Sequence, residues 1–245
     1  MEEKKELLRS LGVDRIEVLD FTRSFAALTA EQYLRDVLRS RFGVTTLLMG
    51  YDNRLGSDRL TADKLRPVAD AVGVELIELE PFGQGSAEGG HRFADVHPSL
   101  TNISSTVIRK ALEEGKVEEA KGMLGYGYAL KGVVVAGNRL GRTIGFPTAN
   151  MRLYEPLKLV PGRGVYVVEV EVLGKKYRGM TNIGQRPTVG GTFTTIETHI
   201  LDFDEDIYGL PLRITFLRRL RDEVHFPSLE ALKRQLEKDR DCCRE

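Results

Sequence analysis

The stretch that decides the fold is GVYVVEVEVLGKKYRGMTNIG, residues 164–184. It contains two runs with the alternation of β-strands, joined by a leucine–glycine turn at 173–174. Similar strand-like runs flank this stretch, at residues 128–137, 193–203 and 212–221. Because no helical pattern separates these runs, we expect them to form an antiparallel barrel or sandwich.

The first half of the sequence has a different pattern of predicted elements, in which short strands alternate with helices. Residues 45–50 form an apolar run short enough for a buried strand, and VELIELE at 74–80 is a second predicted strand. Thr29, followed three residues later by Gln32, has the spacing of a capping box at a helix start. Alternating strands and helices indicate βαβ units and a parallel sheet. The helices predicted here are 2–11, 29–42, 62–73, 105–114 and 117–124, with a further short strand at 15–20.

Near residue 125 the predicted elements change from alternating strands and helices to successive strands. This change predicts two domains, at residues 1–123 and 124–245. The first is α/β, and the second is mainly β with a closing amphipathic helix that starts near Pro227 and Ser228. In an open α/β sheet, the first strand and the loop after it usually supply the phosphate contacts. This chain begins on a helix, so we expect a preceding strand–loop–helix to be missing from it.

Composition narrows the class of protein. Lysine plus arginine and aspartate plus glutamate both number 36, and this balance argues against a general nucleic-acid or membrane-surface binder. No apolar run approaches the roughly 20 residues that span a bilayer. Cys242 and Cys243 are adjacent, cannot easily bridge, and are expected to be exposed thiols on the last helix. These features predict a protein of a reducing compartment, the cytoplasm, with no nucleic-acid or membrane partner.

The segment GRTIGFPTAN, residues 141–150, is the first candidate site. Gly141 and Gly145 permit close backbone approach and positive φ, and amides left free by such a loop can hold phosphate, with Arg142 adding charge. Thr148 and Asn150 offer hard oxygen ligands on the same side of an extended segment, which suits Mg²⁺. The alternative is a structural turn in which threonine and asparagine make local hydrogen bonds.

The run FTTIETHILDFDEDIYG, residues 193–209, is the second candidate. In strand register Glu197 faces one way with Thr195 and His199, so its carboxylate could act as a general base on the inner face or rim of a barrel. The alternative is a solvated strand face. The acidic residues at 202–206 lack the spacing of a calcium-binding loop and are expected to form a charged turn.

Two further groups of residues are weaker candidates. Arg221 and Phe226 could hold a planar ligand by cation–π or stacking contact, or they could be a solvated strand end with an aromatic anchor. Ser105 and Thr106 lie at a helix start, with Arg109 one turn inside, where an anion would be attracted. Simple capping is the alternative for this serine–threonine cluster.

Taken together, these motifs resemble a known family. The second half is similar to riboflavin kinase, through GRTIGFPTAN, NIGQRPTVGG (182–191), TIETHILDFDEDIYG (195–209) and FLRRLRDEVHF (216–226). The first half resembles the later part of an FMN adenylyltransferase domain, through GYDNRLGSDR (50–59) and ISSTVIRK (103–110). No stretch of the chain supplies that domain's first signature, a glycine-bearing loop with two histidines.

The resemblance implies a fold and an activity. It implies an incomplete Rossmann-like nucleotidyltransferase domain, followed by a six-stranded antiparallel riboflavin-kinase β-barrel with a C-terminal helix. The kinase would use Mg²⁺ and ATP to phosphorylate the 5′-hydroxyl of riboflavin, which yields FMN. FMN adenylylation to FAD would belong to the complete protein.

The resemblance also implies roles for residues. Glu197 would be the catalytic base, and Thr148 and Asn150 the ligands of magnesium and ATP. The remaining roles are ATP and phosphate binding by Gly141, Arg142 and Gly145; flavin binding by Arg221, Glu223 and Phe226; and a nucleotide-binding remnant at Ser105, Thr106 and Arg109. A non-catalytic flavin-binding barrel remains the alternative function, and an oligonucleotide-binding barrel is disfavoured by the zero net charge.

Overall fold

The computed structural model describes residues 2–79, 103–137, 140–188 and 191–244. The chain divides into two compact units, Met1–Arg92 and Phe93–Glu245. The glycine-rich composition of residues 81–90 predicts a loop, but this segment lies outside the described residues.

The first unit contains the predicted alternation of helices and strands. Thr29 and Gln32 form the predicted capping box, in which each side chain bonds the other residue's backbone N–H. Strand β1 pairs in parallel with β2, as the βαβ pattern predicts. The elements are α1 (Glu2–Ser10), α2 (Arg23–Ala26), α3 (Ala30–Gln32) continued by a π-helix (Tyr33–Arg41), β1 (Thr46–Gly50), α4 (Ala62–Ala71) and β2 (Glu75–Leu79).

The strand predicted at 15–20 is wrong, because the structure has no regular element there. The segment is largely exposed, and Val18 is 53% accessible. A strand needs a partner and a buried face to persist, and the short alternation at 15–20 finds neither among the described residues. A local pattern alone therefore misplaced one strand.

The second unit begins with two helices, α5 (Ser105–Glu113) and α6 (Val117–Leu124). Ala111, Leu112, Val117 and Ala120 of these helices are buried in the same core as the barrel strands. These helices therefore lie in the same compact unit as the barrel. The boundary predicted at residue 123 had placed them in the first domain. Gly125 ends α6 with a φ of 77°, a left-handed helix stop.

Six antiparallel strands close the predicted barrel, in the order β3–β4–β7–β6–β5–β8. Sequence patterns located five of them, and β4 begins inside the GRTIGFPTAN motif. The elements are β3 (Ala129–Val135), a short α7 (Leu140–Thr143), β4 (Ala149–Leu153), β5 (Gly164–Val172), β6 (Lys175–Thr188), β7 (Gly191–Ile200), β8 (Pro211–Arg221) and the closing helix α8 (Leu229–Arg244).

Both faces of strand β5 are buried, and this explains its nearly continuous valine run. Tyr166 and Val168 point into the barrel core, while Val165 and Val167 face outward into a second apolar cluster. Cys243 of α8 belongs to this second cluster and is 2% exposed, so the expectation of an exposed thiol there is wrong. Burial raises the pKa of that thiol to about 11. Helix α8 thus covers the outer wall of the barrel.

Candidate functional site

A cavity of about 600 Å³ lies between the outer wall of the barrel and helix α8. Strands β6 and β7 supply polar side chains to it, and the helix supplies leucines. Six of the residues predicted from sequence line this cavity: Gly141, Thr148, Glu197, Arg221, Glu223 and Phe226.

Glu197 lies on the outer face of β7, so the inner-face position that the sequence suggested is wrong. Its neighbours Ile196 and Thr198 are buried, Ile196 within the barrel core, so the alternation of the strand turns Glu197 toward the cavity. Asn150 of β4 and Asn182 of β6 are its direct cross-strand partners. Residues directly opposite one another share a face, so the three side chains form a polar row across three strands. No sequence pattern pointed to Asn182 as a site residue.

Arg186 pairs with Glu197, its Nη2 donating to Oε1 at 2.5 Å. The Glu197 side chain is 21% exposed, so the pair is partly shielded from solvent. The two residues are eleven apart on neighbouring strands, and only the hairpin register brings them together. Arg186 belongs to the motif NIGQRPTVGG (182–191), but the sequence alone assigned it no role.

The loop that carries Thr148 is folded onto itself. Helix α7 leads into it, and the amides of Ile144 and Phe146 donate to the carbonyl of Gly141 at 3.2 and 2.8 Å. These two amides are therefore engaged within the turn, and phosphate binding by Gly141, Arg142 and Gly145 stays a prediction. Gly145 has the expected positive φ, 85°, and a Cβ at Gly141 would overlap the carbonyl oxygen of Phe146.

His199 ties this loop to strand β7. Its Nδ1 lies 2.8 Å from the carbonyl oxygen of Pro147, which can only accept, so Nδ1 carries the proton. The ring also packs at 5.2 Å from that of Phe146, which is buried. Burial lowers the pKa of His199, and nearby Arg240 lowers it further against the opposing effect of the Pro147 hydrogen bond. In the sequence, His199 shares a strand face with Glu197, but no pattern there assigns it a role.

A second cavity, of about 200 Å³, lies against the same loop. Arg142, Thr148 and Ala149 line one side of it, and residues 203–208 line the other. The acidic residues Asp204, Glu205 and Asp206, expected to form a charged turn, are exposed and also line this cavity. Thr148 lines both cavities, so it stands at the point where they meet.

Asn150 has a close neighbour that the sequence did not indicate. A Cβ on Gly137 would overlap its side-chain amide, so the amide occupies space that exists because residue 137 is glycine. The amide lies beside the carboxylate of Glu197 across the β4–β7 pairing. Hydroxyl and amide oxygens such as those of Thr148 and Asn150 are the type that Mg²⁺ accepts, so this pair of donors fits that ion. Among the described residues no cluster of three or more His, Cys, Asp or Glu could hold a metal alone.

Arg221 and Phe226 lie at the cavity but contact each other, with the guanidinium 5.6 Å from the ring centroid. The guanidinium also donates from Nε and Nη2 to Asp239 of α8, at 2.7 Å for the shortest bond. Asp239 is 4% exposed, and Gln235 donates to it as well. Arg221 is therefore held as an anchor for the helix, with Glu223 lining the cavity nearby.

The predicted remnant at α5 is separate from these cavities. Ser104 is the N-cap and accepts from the amide of Val107, while Ser105, Thr106 and Arg109 are exposed. None of the three lines either cavity described above. Their role in nucleotide binding stays a prediction.

Comparison with known proteins identifies both halves of the chain. The family model for riboflavin kinase matches residues 124–245. The model for FAD synthetase matches residues 1–89.

Whole-length relatives agree with these matches. The bifunctional riboflavin kinase/FMN adenylyltransferase of Escherichia coli K12 is 38% identical and covers 100% of this chain and 74% of its own length. The enzyme of the same name from Listeria monocytogenes is 36% identical, over 98% of this chain and 71% of the relative.

One solved structure also matches over the full chain. It is titled a macrolide-efflux protein from Streptococcus pneumoniae, and it has a TM-score of 0.85 and 36% identity over 100% of this chain and 74% of that one. In the part of the present chain that the structure describes, no helix has the length and apolarity to cross a membrane. On the evidence of its relatives, the chain belongs to the family of bifunctional riboflavin kinase/FMN adenylyltransferases.

Proposed function

We propose that this chain is a riboflavin kinase, which transfers the γ-phosphoryl group of ATP to the 5′-hydroxyl of riboflavin. The observation that carries this proposal is the position of Thr148, which lines both cavities, while Glu197 lines the larger one. A phosphoryl transfer between two bound molecules needs two sites that meet at one point and a group that accepts a proton there.

The larger cavity is the site we assign to the flavin. Its volume of about 600 Å³ lies within the range of roughly 300–1,000 Å³ for small-molecule sites. Phe146, Met180 and Leu236 offer it apolar surface, which suits a planar aromatic ring system, while Glu197 and Asn182 mark a polar region for the ribityl chain. The smaller cavity, bordered by Arg142, is the site we assign to the nucleotide.

Each polar residue then has a defined task. Glu197 accepts the proton of the 5′-hydroxyl as its oxygen bonds to the γ-phosphorus, and the bond to the bridging oxygen of ADP breaks. Thr148 and Asn150 are the side chains we expect to hold magnesium, which when bound neutralises phosphate charge. His199 holds the carbonyl of Pro147, and because the following peptide is planar it also orients the N–H of Thr148.

A product assay tests this function. The chain is incubated with riboflavin, ATP and Mg²⁺, and the flavins are separated by chromatography. We expect FMN to accumulate. A chain that binds riboflavin and ATP yet forms no FMN would instead be the non-catalytic flavin-binding barrel.

The same chromatogram tests the adenylyltransferase half. The four histidines of the sequence, at 91, 97, 199 and 225, do not supply the two-histidine loop of that activity. We therefore expect FMN without FAD from this chain.

The two free cysteines suit a reducing compartment, and a cytoplasmic location is part of the same proposal.

A further inference from the structure

The larger cavity contains an arginine that the proposed reaction leaves without a task. Of the described residues, Arg186 and Arg221 are the arginines that line it. Arg221 is committed, because Nε and Nη2 bond Asp239 and Nη1 bonds the carbonyl of Asp222. Arg186 is different: its side chain is 44% exposed, and its bond in the described structure is the one to Glu197.

The charge that holds Arg186 changes during the reaction. Before transfer its partner is the carboxylate of Glu197. As the 5′-oxygen attacks the γ-phosphorus, its proton passes to Glu197, and the electron pair of the broken bond leaves on ADP. The carboxylate is then neutral, while a phosphate dianion has formed on the oxygen that Glu197 was touching.

The short distance between Arg186 and Glu197 places the guanidinium of Arg186 close to the new phosphate. A general base must approach the hydroxyl to roughly 2.6–3.2 Å, and Arg186 already contacts that base at 2.5 Å. The new phosphate therefore forms within a few ångströms of the guanidinium. Guanidinium groups bind phosphate through two parallel hydrogen bonds, and Arg186 has donors available for this.

We propose that Arg186 is a catalytic residue whose ion pair passes from Glu197 to the transferred phosphoryl group, and that Arg186 then binds the 5′-phosphate of the product. This inference rests on the proposed kinase function. It makes Arg186 a ligand of FMN but not of riboflavin, which differs from FMN by that phosphate alone.

Paired flavin titrations test the inference directly. Riboflavin and FMN are titrated separately against the wild type and Arg186→Gln, with flavin fluorescence as the readout. A charge-assisted pair of hydrogen bonds corresponds to about 10- to 100-fold in affinity. We expect Arg186→Gln to lose this factor for FMN and less than about two-fold for riboflavin. Lysine keeps the positive charge but lacks the two parallel donors of a guanidinium. The affinity of Arg186→Lys for FMN should therefore lie between those of the wild type and Arg186→Gln.

A matched control separates this effect from a general loss of charge. Arg178 lies on the same strand, is exposed, and does not line the larger cavity. Arg178→Gln should bind both flavins as the wild type does. If Arg186→Gln weakens riboflavin and FMN equally, or weakens neither, the phosphate role is wrong.

Turnover distinguishes failure of this inference from failure of the proposed function. With an active wild type, Arg186→Gln should lower kcat at least about ten-fold while the KM for riboflavin changes little. A variant with wild-type kcat overturns the role of Arg186 and leaves the kinase function standing. A wild type that binds neither flavin and forms no FMN overturns the kinase function itself.

Discussion

Asn150 shows how a single glycine can control a candidate metal ligand. Gly137 has no Cβ, and the amide of Asn150 occupies the space where one would be. The φ of Gly137 is outside the left-handed region. Alanine at position 137 therefore causes no backbone strain and acts through its contact with Asn150 alone.

We therefore predict that Gly137→Ala displaces Asn150 and weakens binding of Mg²⁺-ATP to the same degree as Asn150→Ala. Nucleotide titration at limiting Mg²⁺ measures the effect. The double variant is the control, because alanine at 150 removes the overlap. Its affinity should match that of Asn150→Ala; two fully additive losses would show that the glycine acts elsewhere.

His199 gives the molecule a pH-sensitive contribution to stability. Burial holds its pKa below the ordinary 6.5, so the unfolded chain takes up this proton at higher pH than the folded chain does. Below pH 6.5 the unfolded state therefore binds more protons, and stability falls as the pH falls toward the lowered pKa.

We predict that His199→Asn loses this acid-dependent part while its amide still donates to Pro147. Urea midpoints at about pH 7.5 and about pH 5.5 measure it for both proteins. The wild type should lose more stability on acidification than His199→Asn. His225→Asn, at an exposed histidine, is the control and should behave as the wild type. Equal losses in wild type and His199→Asn would refute the assignment.

Helix α8 is held to the barrel by an ion pair as well as by apolar contacts. Asp239 is 4% exposed, and its carboxylate receives three hydrogen bonds from Arg221 and one from Gln235. A buried pair is worth little relative to a hydrophobic replacement, but removing one partner leaves the other charge uncompensated.

We predict that Asp239→Asn destabilises the chain by about 3 kcal/mol and opens the wall of the larger cavity. Urea unfolding and riboflavin titration measure the two effects. Asp241→Asn is the matched control on the same helix, because its carboxylate is 68% exposed and pairs with Arg240 at the surface. That change should cost less than about 1 kcal/mol. Comparable losses in both variants would contradict the role of the buried pair.

Local signals predicted most of the helices and strands. The Thr29–Gln32 capping box and the alternation in β5 and β6 each act within a few residues, so the sequence shows them directly. The segment 15–20 has the same alternation but gains no partner, which explains why pattern alone misplaced it. Helix α8 was predicted as amphipathic, but the sequence did not show which barrel face its apolar side covers.

The site was predictable in its residue types but not in its contacts. Thr148, Asn150 and Glu197 stand in motifs, whereas the His199–Pro147 hydrogen bond joins residues 52 apart in sequence. Asn182 and Arg186 reach Glu197 only through the register of β6 and β7. These contacts form only when distant strands pair to close the barrel, so no short segment of the sequence predicts them.

For the molecule as a whole, the proposed function depends on two cavities that meet beside one base. Relatives of this chain are named for two activities, and the residues that form both cavities all lie in the part matched by the riboflavin kinase model. Phosphoryl transfer is therefore the activity that the described site can carry by itself.

The most direct test is the rate of FMN formation by Glu197→Gln, measured beside its affinities for riboflavin and Mg²⁺-ATP. Glutamine keeps the size of the side chain but cannot accept the proton at neutral pH. We predict unchanged binding of both substrates and a rate at least about 100-fold below that of the wild type. FMN formation by Glu197→Gln at a near wild-type rate would contradict the assignment of Glu197 as the base on which the site is built.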